Sequence, residues 1–192
     1  MKPHYSCCQH RGASAAHSSE RRQLLGMASW AAIGILTGCG DRTDAAHTLA
    51  PVEITSATSC DLDGMLLADY PGPKAQIHYA GATKPMFMCD TVEMFNTLLR
   101  PEQVRKVEAV YVQDMGKTDW DQPRGNWIDA KTGFYVLGSK RHGSMGPTIA
   151  SFSHEADATK FAASHGGKVL RFGDVKADMV DLSGGALHDT RM

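Results

Sequence analysis

Residues 85–101 read Pro-Met-Phe-Met-Cys-Asp-Thr-Val-Glu-Met-Phe-Asn-Thr-Leu-Leu-Arg-Pro, and this stretch sets the pattern of the fold. Its first part, Pro85 to Cys89, is short and apolar, as buried strands are. A helix is predicted to begin at Asp90, because Asp90 and Glu93 have the spacing of a capping box. It should end before Pro101, since the residue before a proline avoids helical angles. Its buried side is predicted to comprise Val92, Phe95, Leu98 and Leu99.

The elements around this stretch occur twice in the same order. In the first half, strands are predicted at Ala75 to Tyr79, before the stretch, and at Lys106 to Gln113, after it. In the second half, the predicted elements are strands at Phe134 to Gly138 and Thr148 to Ser153, a helix from about His154 to His165 with Ser153 as its cap and Gly166 as its stop, and a strand at Lys168 to Phe172. The sequence therefore predicts an α+β fold of two small related ββα units packed together, at about residues 60–104 and 105–175.

The N-terminal region has the pattern of an export signal. Arg21-Arg22 precedes an apolar run from Leu24 to Leu36, which is too short to cross a membrane. The run ends in Leu36-Thr37-Gly38-Cys39, which looks like the lipobox of bacterial lipoproteins. We therefore predict a twin-arginine-like signal peptide at residues 1–38 and an acylated Cys39 that anchors the protein to the cell envelope, facing the periplasm. Gly40 slightly favours the outer membrane.

The rest of the chain has the composition of a folded domain. The formal net charge is −1 and no long basic run is present, which argues against a nucleic-acid partner. Residues 39–52 are predicted to form a tether, residues 53–177 the folded domain, and residues 178–192 a flexible tail. The lipid on Cys39 is the one membrane contact that this sequence supports.

Two of the five cysteines require an explanation. Cys7 and Cys8 fall in the signal peptide and Cys39 carries the lipid, which leaves Cys60 and Cys89 in the domain. One possibility is a disulfide, which an oxidising periplasm would favour. The other is a metal site for Cu(I), which thiolate and thioether ligands select. Because Cys89 directly precedes a predicted helix, we expect the helix dipole to lower its thiol pKa.

Several methionines lie near these cysteines in the sequence. Met65 follows Cys60 by five residues, and Met145 lies with His142 on a glycine-flanked loop where a packing role is harder to argue. Three further methionines are predicted to fill the core: Met86, Met88 and Met94. Loops from both halves are thus expected to converge on one ion.

These residues carry a resemblance to a known family. Cys60-Asp-Leu-Asp-Gly-Met65 and its continuation to Ile77, then Phe87-Met-Cys89-Asp-Thr, and Gly143-Ser-Met145-Gly-Pro-Thr with Phe152 resemble the nitrous oxide reductase accessory lipoprotein family, NosL. The resemblance extends from about Cys60 to Val175. Many family members carry Cys-x-x-Cys-Gly-Met in the first motif, whereas Asp63 stands at the second Cys position here.

The resemblance implies a copper chaperone and not an enzyme. Such a lipoprotein binds Cu(I) and passes it to apo nitrous oxide reductase through a membrane assembly complex. With Asp63 in place of a thiol, the resemblance leaves Cys60, Met65 and Met145 as the first-choice copper ligands and Cys89 and His142 as second-choice candidates. The family fold, two related ββα units, agrees with the repeated order of elements.

A different class of function remains open from the residues alone. A thiol-disulfide enzyme, or an enzyme similar to organomercurial lyase, would use Cys60 and Cys89 as a reactive pair. The sequence offers neither a clear catalytic base nor Cys-x-x-Cys spacing for this chemistry. A structural lipoprotein with one disulfide is a third alternative.

Overall fold

The computed structural model describes residues 49–182, which form two helices and three antiparallel sheets. The predicted signal peptide, the acylation site at Cys39, most of the tether and most of the C-terminal tail lie outside the described residues. The mixed α+β fold class is confirmed. Within the described range, no helix is long and apolar enough to cross a membrane.

The first sheet has four strands. These are β1 (Ala75–Tyr79), β2 (Met86–Met88), β3 (Val107–Gln113) and β4 (Trp127–Asp129), in the order β2-β1-β3-β4. Every residue of β1 is buried, because this strand lies in the middle of the sheet. β3 lies after the predicted boundary between the two units, at about residue 104, yet it pairs with β1 along its length.

The second and third sheets hold the rest of the strands. β5 (Phe134–Leu137), β8 (Ala150–Phe152) and β9 (Lys168–Arg171) form a sheet in the order β8-β5-β9. β6 (His142–Gly143) and β7 (Gly146–Pro147) form a small hairpin with Ser144 and Met145 at its turn. β1 thus lies between β2 and β3, and β5 lies between β8 and β9, so in both sheets a strand pairs on its two sides with strands that follow it in the sequence.

Helix α1 (Thr91–Leu99) follows the sequence prediction at both ends. The Asp90 side chain accepts a hydrogen bond from the backbone N–H of Val92 at 2.9 Å, and Arg100 is extended, with φ −66° and ψ 135°. Met94 and Phe95 are fully buried, with Val92 and Leu98 packed at the edge of the same core. The predicted burial of Leu99 was wrong. Leu99 is 37% exposed, because it ends the helix one position past the buried side.

Helix α2 (Glu155–His165) begins one residue later than predicted. Ser153 is not its cap, since His154 occupies the N-cap position and the Ser153 hydroxyl donates to Asp114 Oδ2 at 2.5 Å instead. Gly166 ends the helix as predicted, with φ +77°. Ala158, Phe161 and Ala162 pack on the second sheet.

The core methionines behave as predicted. Met88 and Met94 are completely buried in the main core, and Met86 packs against it. A separate cluster lies at the end of the first sheet, where Ile54, Cys60, Leu67 and Cys89 are buried. Four partly buried side chains surround it: Met65, Phe87, Trp127 and Met145. The sequence motifs of chemical interest therefore meet in one place.

Candidate metal centre

The loop that carries Cys60 is folded back on itself and tied to strand β2. The backbone N–H of Cys60 donates to the carbonyl of Met65 at 2.8 Å, and that of Gly64 donates to the carbonyl of Cys60 at 3.0 Å. The backbone N–H of Asp61 donates to the carbonyl of Phe87 at 2.9 Å. These bonds place Cys60 beside Cys89, which follows directly after β2. Both cysteines are buried, and they are not joined by a disulfide.

Glu93 is the common hydrogen-bond acceptor of the two thiols. Its Oε2 atom accepts from Cys89 Sγ at 3.3 Å and from Cys60 Sγ at 3.4 Å. The same oxygen accepts from the backbone N–H of Cys89 at 3.0 Å. Glu93 is 2% exposed, so its carboxylate replaces solvent as the partner of both sulfurs. Sequence reasoning used Glu93 only as a helix-capping residue and missed this role.

Asp63 completes a group of four potential ligands. One ligand atom from each of Cys60, Asp63, Cys89 and Glu93 lies within 4.8 Å of the others. Asp63 Oδ2 accepts from Cys89 Sγ at 3.6 Å, and Asp63 Oδ1 accepts from the backbone N–H of Met65 at 2.9 Å. Asp63, the residue that departs from the family motif, thus places its carboxylate beside Cys89.

The structure separates the remaining sequence candidates. Met65 and Met145 both pack against the cluster that contains the two buried cysteines. His142 lies on β6 with an exposed side chain, and its backbone carbonyl accepts from the indole N–H of Trp120 at 3.0 Å. It does not belong to the group of four. The two thiols and two thioethers predicted from the sequence therefore come together, and the imidazole does not join them.

The electrostatics of the thiols differ from the prediction. The pKa of the Cys89 thiol lies far above its usual range, first because of hydrogen bonding with Cys60, then because of burial and the nearby carboxylate of Glu93. The predicted lowering by the helix dipole was wrong, since these effects outweigh it. Burial likewise raises the pKa of the Glu93 carboxyl. Without a metal, the Cys89 sulfur therefore keeps its proton, which a bound metal would have to displace.

One cation lies in the interior near these acidic groups. Lys74 is fully buried, and burial lowers the pKa of its ammonium group to about 8, against the opposing effects of Asp90, Cys89 and Glu93. Asp90 is also buried, which raises the pKa of its carboxyl to about 6. Within residues 49–182, Lys74 thus places an ammonium group in the interior close to these acidic groups.

A cavity of about 70 Å³ opens beside the group of four. It is lined by Asp90, Val92, Glu93, Met145, Pro147, Asp181 and Leu182. Because Glu93 and Met145 belong both to this cavity and to the surroundings of the thiols, the cavity connects the centre with the chain after β9.

Comparisons with known proteins match this chain to copper-binding lipoproteins. A family profile described as NosL matches residues 51–180. The chain is 38% identical over 160 residues to the copper-binding lipoprotein NosL of Stutzerimonas stutzeri, covering 80% of this chain and 83% of the relative. It is also 38% identical over 154 residues to the copper-binding lipoprotein NosL of Achromobacter cycloclastes, covering 78% of this chain and 79% of the relative.

A solved structure shows the same fold. The crystal structure of the copper chaperone NosL from Shewanella denitrificans superimposes with a TM-score of 0.64 at 38% sequence identity, covering 68% of this chain and 97% of that chain. These relatives are copper-binding lipoproteins and a copper chaperone, in agreement with the predicted copper chaperone that is not an enzyme. By profile, sequence identity and fold, this chain belongs to the NosL family.

Proposed function

We propose that this chain is a lipid-anchored carrier of Cu(I) that supplies copper for the assembly of nitrous oxide reductase. The observation that carries the proposal is the convergence of Cys60 and Cys89 with Met65 and Met145 in one buried cluster. Soft sulfur ligands of this kind select Cu(I) over harder ions. The relatives described as copper-binding lipoproteins and as a copper chaperone support it.

The chemistry of the centre suits binding followed by release. Two thiols provide strong binding once their protons are displaced, and Glu93 is placed to accept hydrogen bonds from both sulfurs. The thioethers of Met65 and Met145 are weak neutral ligands that a partner can replace one at a time. The cavity next to Met145 gives a partner's side chain access to this end of the centre.

The same geometry argues against the alternative of a thiol-disulfide enzyme. Such an enzyme needs a thiolate as nucleophile at neutral pH. Here both thiols donate to one buried carboxylate, and the pKa of the Cys89 thiol is raised and not lowered. A Cys89 thiol that holds its proton this firmly is a poor nucleophile, whereas its sulfur suits a soft metal that displaces the proton.

The test is an anaerobic Cu(I) titration against a chromogenic chelator. We would use the reduced full-length chain in detergent, with Cys7, Cys8 and Cys39 replaced by Ser so that Cys60 and Cys89 are its only thiols. We expect tight binding of about one ion per chain, abolished by Cys60→Ala or Cys89→Ala and weakened by Met65→Ala or Met145→Ala. His142→Ala is the matched control and should leave the affinity unchanged.

Failure of the chain to compete with the chelator would overturn the carrier proposal. Equal loss of affinity in His142→Ala would show that the imidazole is a ligand and that the sulfur set proposed here is incomplete. Delivery is tested separately, by mixing the copper-loaded chain with copper-free nitrous oxide reductase and its membrane assembly complex. The copper content and activity of the reductase should rise, and rise less with Cys89→Ala.

The anchor is proposed at Cys39, which lies outside the described residues. A lipid on this residue, after removal of residues 1–38, would hold the domain at the periplasmic side of the envelope. Cys39→Ser should move the protein from the membrane fraction to the soluble periplasmic fraction. Separation of the two membranes by density then decides whether the outer membrane carries it, as Gly40 slightly favours. Retention of Cys39→Ser in the membrane fraction would remove this anchor from the proposal.

A further inference from the structure

Lys74 is a buried lysine with a defined set of partners. Its side chain has no exposed surface, and its Nζ atom donates to the carbonyl of Pro71 at 2.8 Å and to the hydroxyl of Ser144 at 2.6 Å. Its backbone exchanges hydrogen bonds with Gln113, so the base of the side chain is fixed as well. Burying an ammonium group is costly unless it is hydrogen-bonded, and these contacts show where the stabilisation arises.

Ser144 connects this ammonium group to the metal centre. Its hydroxyl oxygen accepts from Lys74, which leaves its proton to be donated to the backbone carbonyl of Cys89 at 2.5 Å. Lys74 precedes β1 and Ser144 lies in the turn between β6 and β7, so the bond joins segments 70 residues apart. These two hydrogen bonds thus connect Lys74 through Ser144 to Cys89, and they hold the turn of the hairpin against Cys89.

Two glycines allow the hairpin to lie this close. A Cβ atom at Gly72 would be 2.7 Å from the Cα of Gly143, which real side chains do not permit. Gly72 also has φ +81°, a conformation that glycine adopts without strain. The close contact between Gly72 and Gly143 is independent of the hydrogen bonds of Lys74, and it places the same turn against the same segment.

Met145 follows Ser144 directly and packs, partly buried, against the cluster that contains Cys60 and Cys89. We propose that Lys74 is a positioning residue that, through Ser144, holds Met145 beside the two thiols as a copper ligand. The inference rests on the proposed function as a Cu(I) carrier. Residues that orient metal ligands in this way affect affinity by about 10- to 100-fold when they are removed.

The first test needs no copper, so it does not depend on the proposed function. The full-length chain without Cys7, Cys8 and Cys39 is labelled with ¹³C at its methionine methyl groups, and the Met145 signal is assigned from Met145→Ala. We expect Ser144→Ala and Lys74→Met to move this signal toward the position of an exposed, mobile methionine. Ser144→Thr keeps a hydroxyl at this position and should keep the wild-type Met145 signal.

A matched control separates positioning from general damage to the fold. Ser153 also donates a side-chain hydrogen bond of 2.5 Å across a long sequence separation, to Asp114, but neither residue belongs to the cluster around the thiols. Ser153→Ala should therefore leave the Met145 signal unchanged. A Met145 signal that stays at its wild-type position in both Ser144→Ala and Lys74→Met would overturn the inference.

The second test is a double-mutant cycle on Cu(I) affinity. If Lys74 and Ser144 act through Met145, then Ser144→Ala alone weakens binding about tenfold or more, and adding it to Met145→Ala costs nothing further. Additive losses, or no loss in Met145→Ala itself, contradict the positioning role. Should Lys74→Met fail to fold, the Ser144→Ala arm decides alone. Absence of Cu(I) binding by the wild type would refute the carrier function, and the methyl signals would still report whether the turn is held.

Discussion

A glycine in the hairpin near the metal centre allows a sharp test of how tightly this region is packed. A Cβ atom at Gly143 would lie 2.2 Å from Asp90 Oδ2 and 2.9 Å from the Cβ of Thr148, whereas ordinary contacts begin at 3.4 Å. The backbone of Gly143 is not in the left-handed region, so alanine there introduces no torsional strain. Any loss of stability in Gly143→Ala therefore measures steric overlap.

The overlap cannot be relieved cheaply, because Asp90 is held in place. Its Oδ1 atom accepts from the backbone N–H of Val92 at 2.9 Å and from the Thr148 hydroxyl at 2.6 Å, and the residue is 2% exposed. Moving it would cost the helix cap, about 1 kcal/mol. Overpacking adds about 1–3 kcal/mol. We therefore expect Gly143→Ala to lower the free energy of unfolding by about 2–4 kcal/mol.

The assay is urea unfolding of the reduced, metal-free chain, with thermal unfolding beside it. A loss of this size corresponds to a fall in Tm of roughly 4 °C per kcal/mol for a domain of this length. Gly173→Ala is the control, since a Cβ atom at Gly173 meets nothing within 4 Å and its φ is also outside the left-handed region. That variant should match the wild type or gain up to about 1 kcal/mol. Equal stabilities of the two variants would refute the packing argument.

Three further predictions address the link between the sheets, the core and the departure from the family motif. Asp114 accepts hydrogen bonds from the Ser153 hydroxyl and backbone N–H and from Gly116, and despite the opposing effect of burial its pKa is lowered. The Asp114 carboxylate therefore adds to the free energy of unfolding above the unfolded carboxyl pKa, and this contribution is lost as the pH falls through the folded pKa. In urea titrations Asp114→Asn should cost about 2 kcal/mol at pH 7 and progressively less below about pH 4. A constant difference in unfolding free energy across this pH range would contradict the prediction. The buried Tyr135 hydroxyl donates to the carbonyl of Ala130 at 2.5 Å, so Tyr135→Phe should lower the unfolding free energy by about 1–2 kcal/mol, and an unchanged urea midpoint would speak against this bond. Asp63→Cys places a third thiol next to Cys89 and should tighten Cu(I) binding in the chelator assay, whereas Asp63→Ser should not; equal affinities of the two variants would show that position 63 does not reach the ion.

The elements that the sequence predicts correctly are those with strong local signals. Helix α1 has a capping residue at Asp90 and a stop before Pro101, and both ends lie where these residues place them. β4 and the hairpin of β6 and β7 were not predicted, because each strand has only two or three residues and exists through pairing with a distant or adjacent partner. The Ser153 cap failed for a related reason, since a distant partner, Asp114, takes its hydroxyl.

The candidate metal centre could be predicted as far as its sulfur atoms. Cysteine and methionine in polar or glycine-rich loops stand out by residue type, so Cys60, Met65 and Met145 were identified without any knowledge of the fold. Glu93 and Lys74 did not stand out, because a charged residue in a sequence is usually solvent-exposed. What makes them part of the centre is burial, at 2% and 0% exposure, and burial follows from the packing of segments far apart in the chain.

The candidate centre is built from separate segments of the chain and not from one closed motif. Cys60 and Met65 come from the loop before β1, whereas Met145 comes from the hairpin between β5 and β8, and Ser144 joins the hairpin to Cys89. A site assembled from separate segments can be opened at one segment while the other keeps its hold. The hairpin side is the one that borders the cavity, and the ligand proposed there, Met145, is a weak neutral thioether. Release is therefore expected to begin at Met145, with the thiols of Cys60 and Cys89 giving up the ion last.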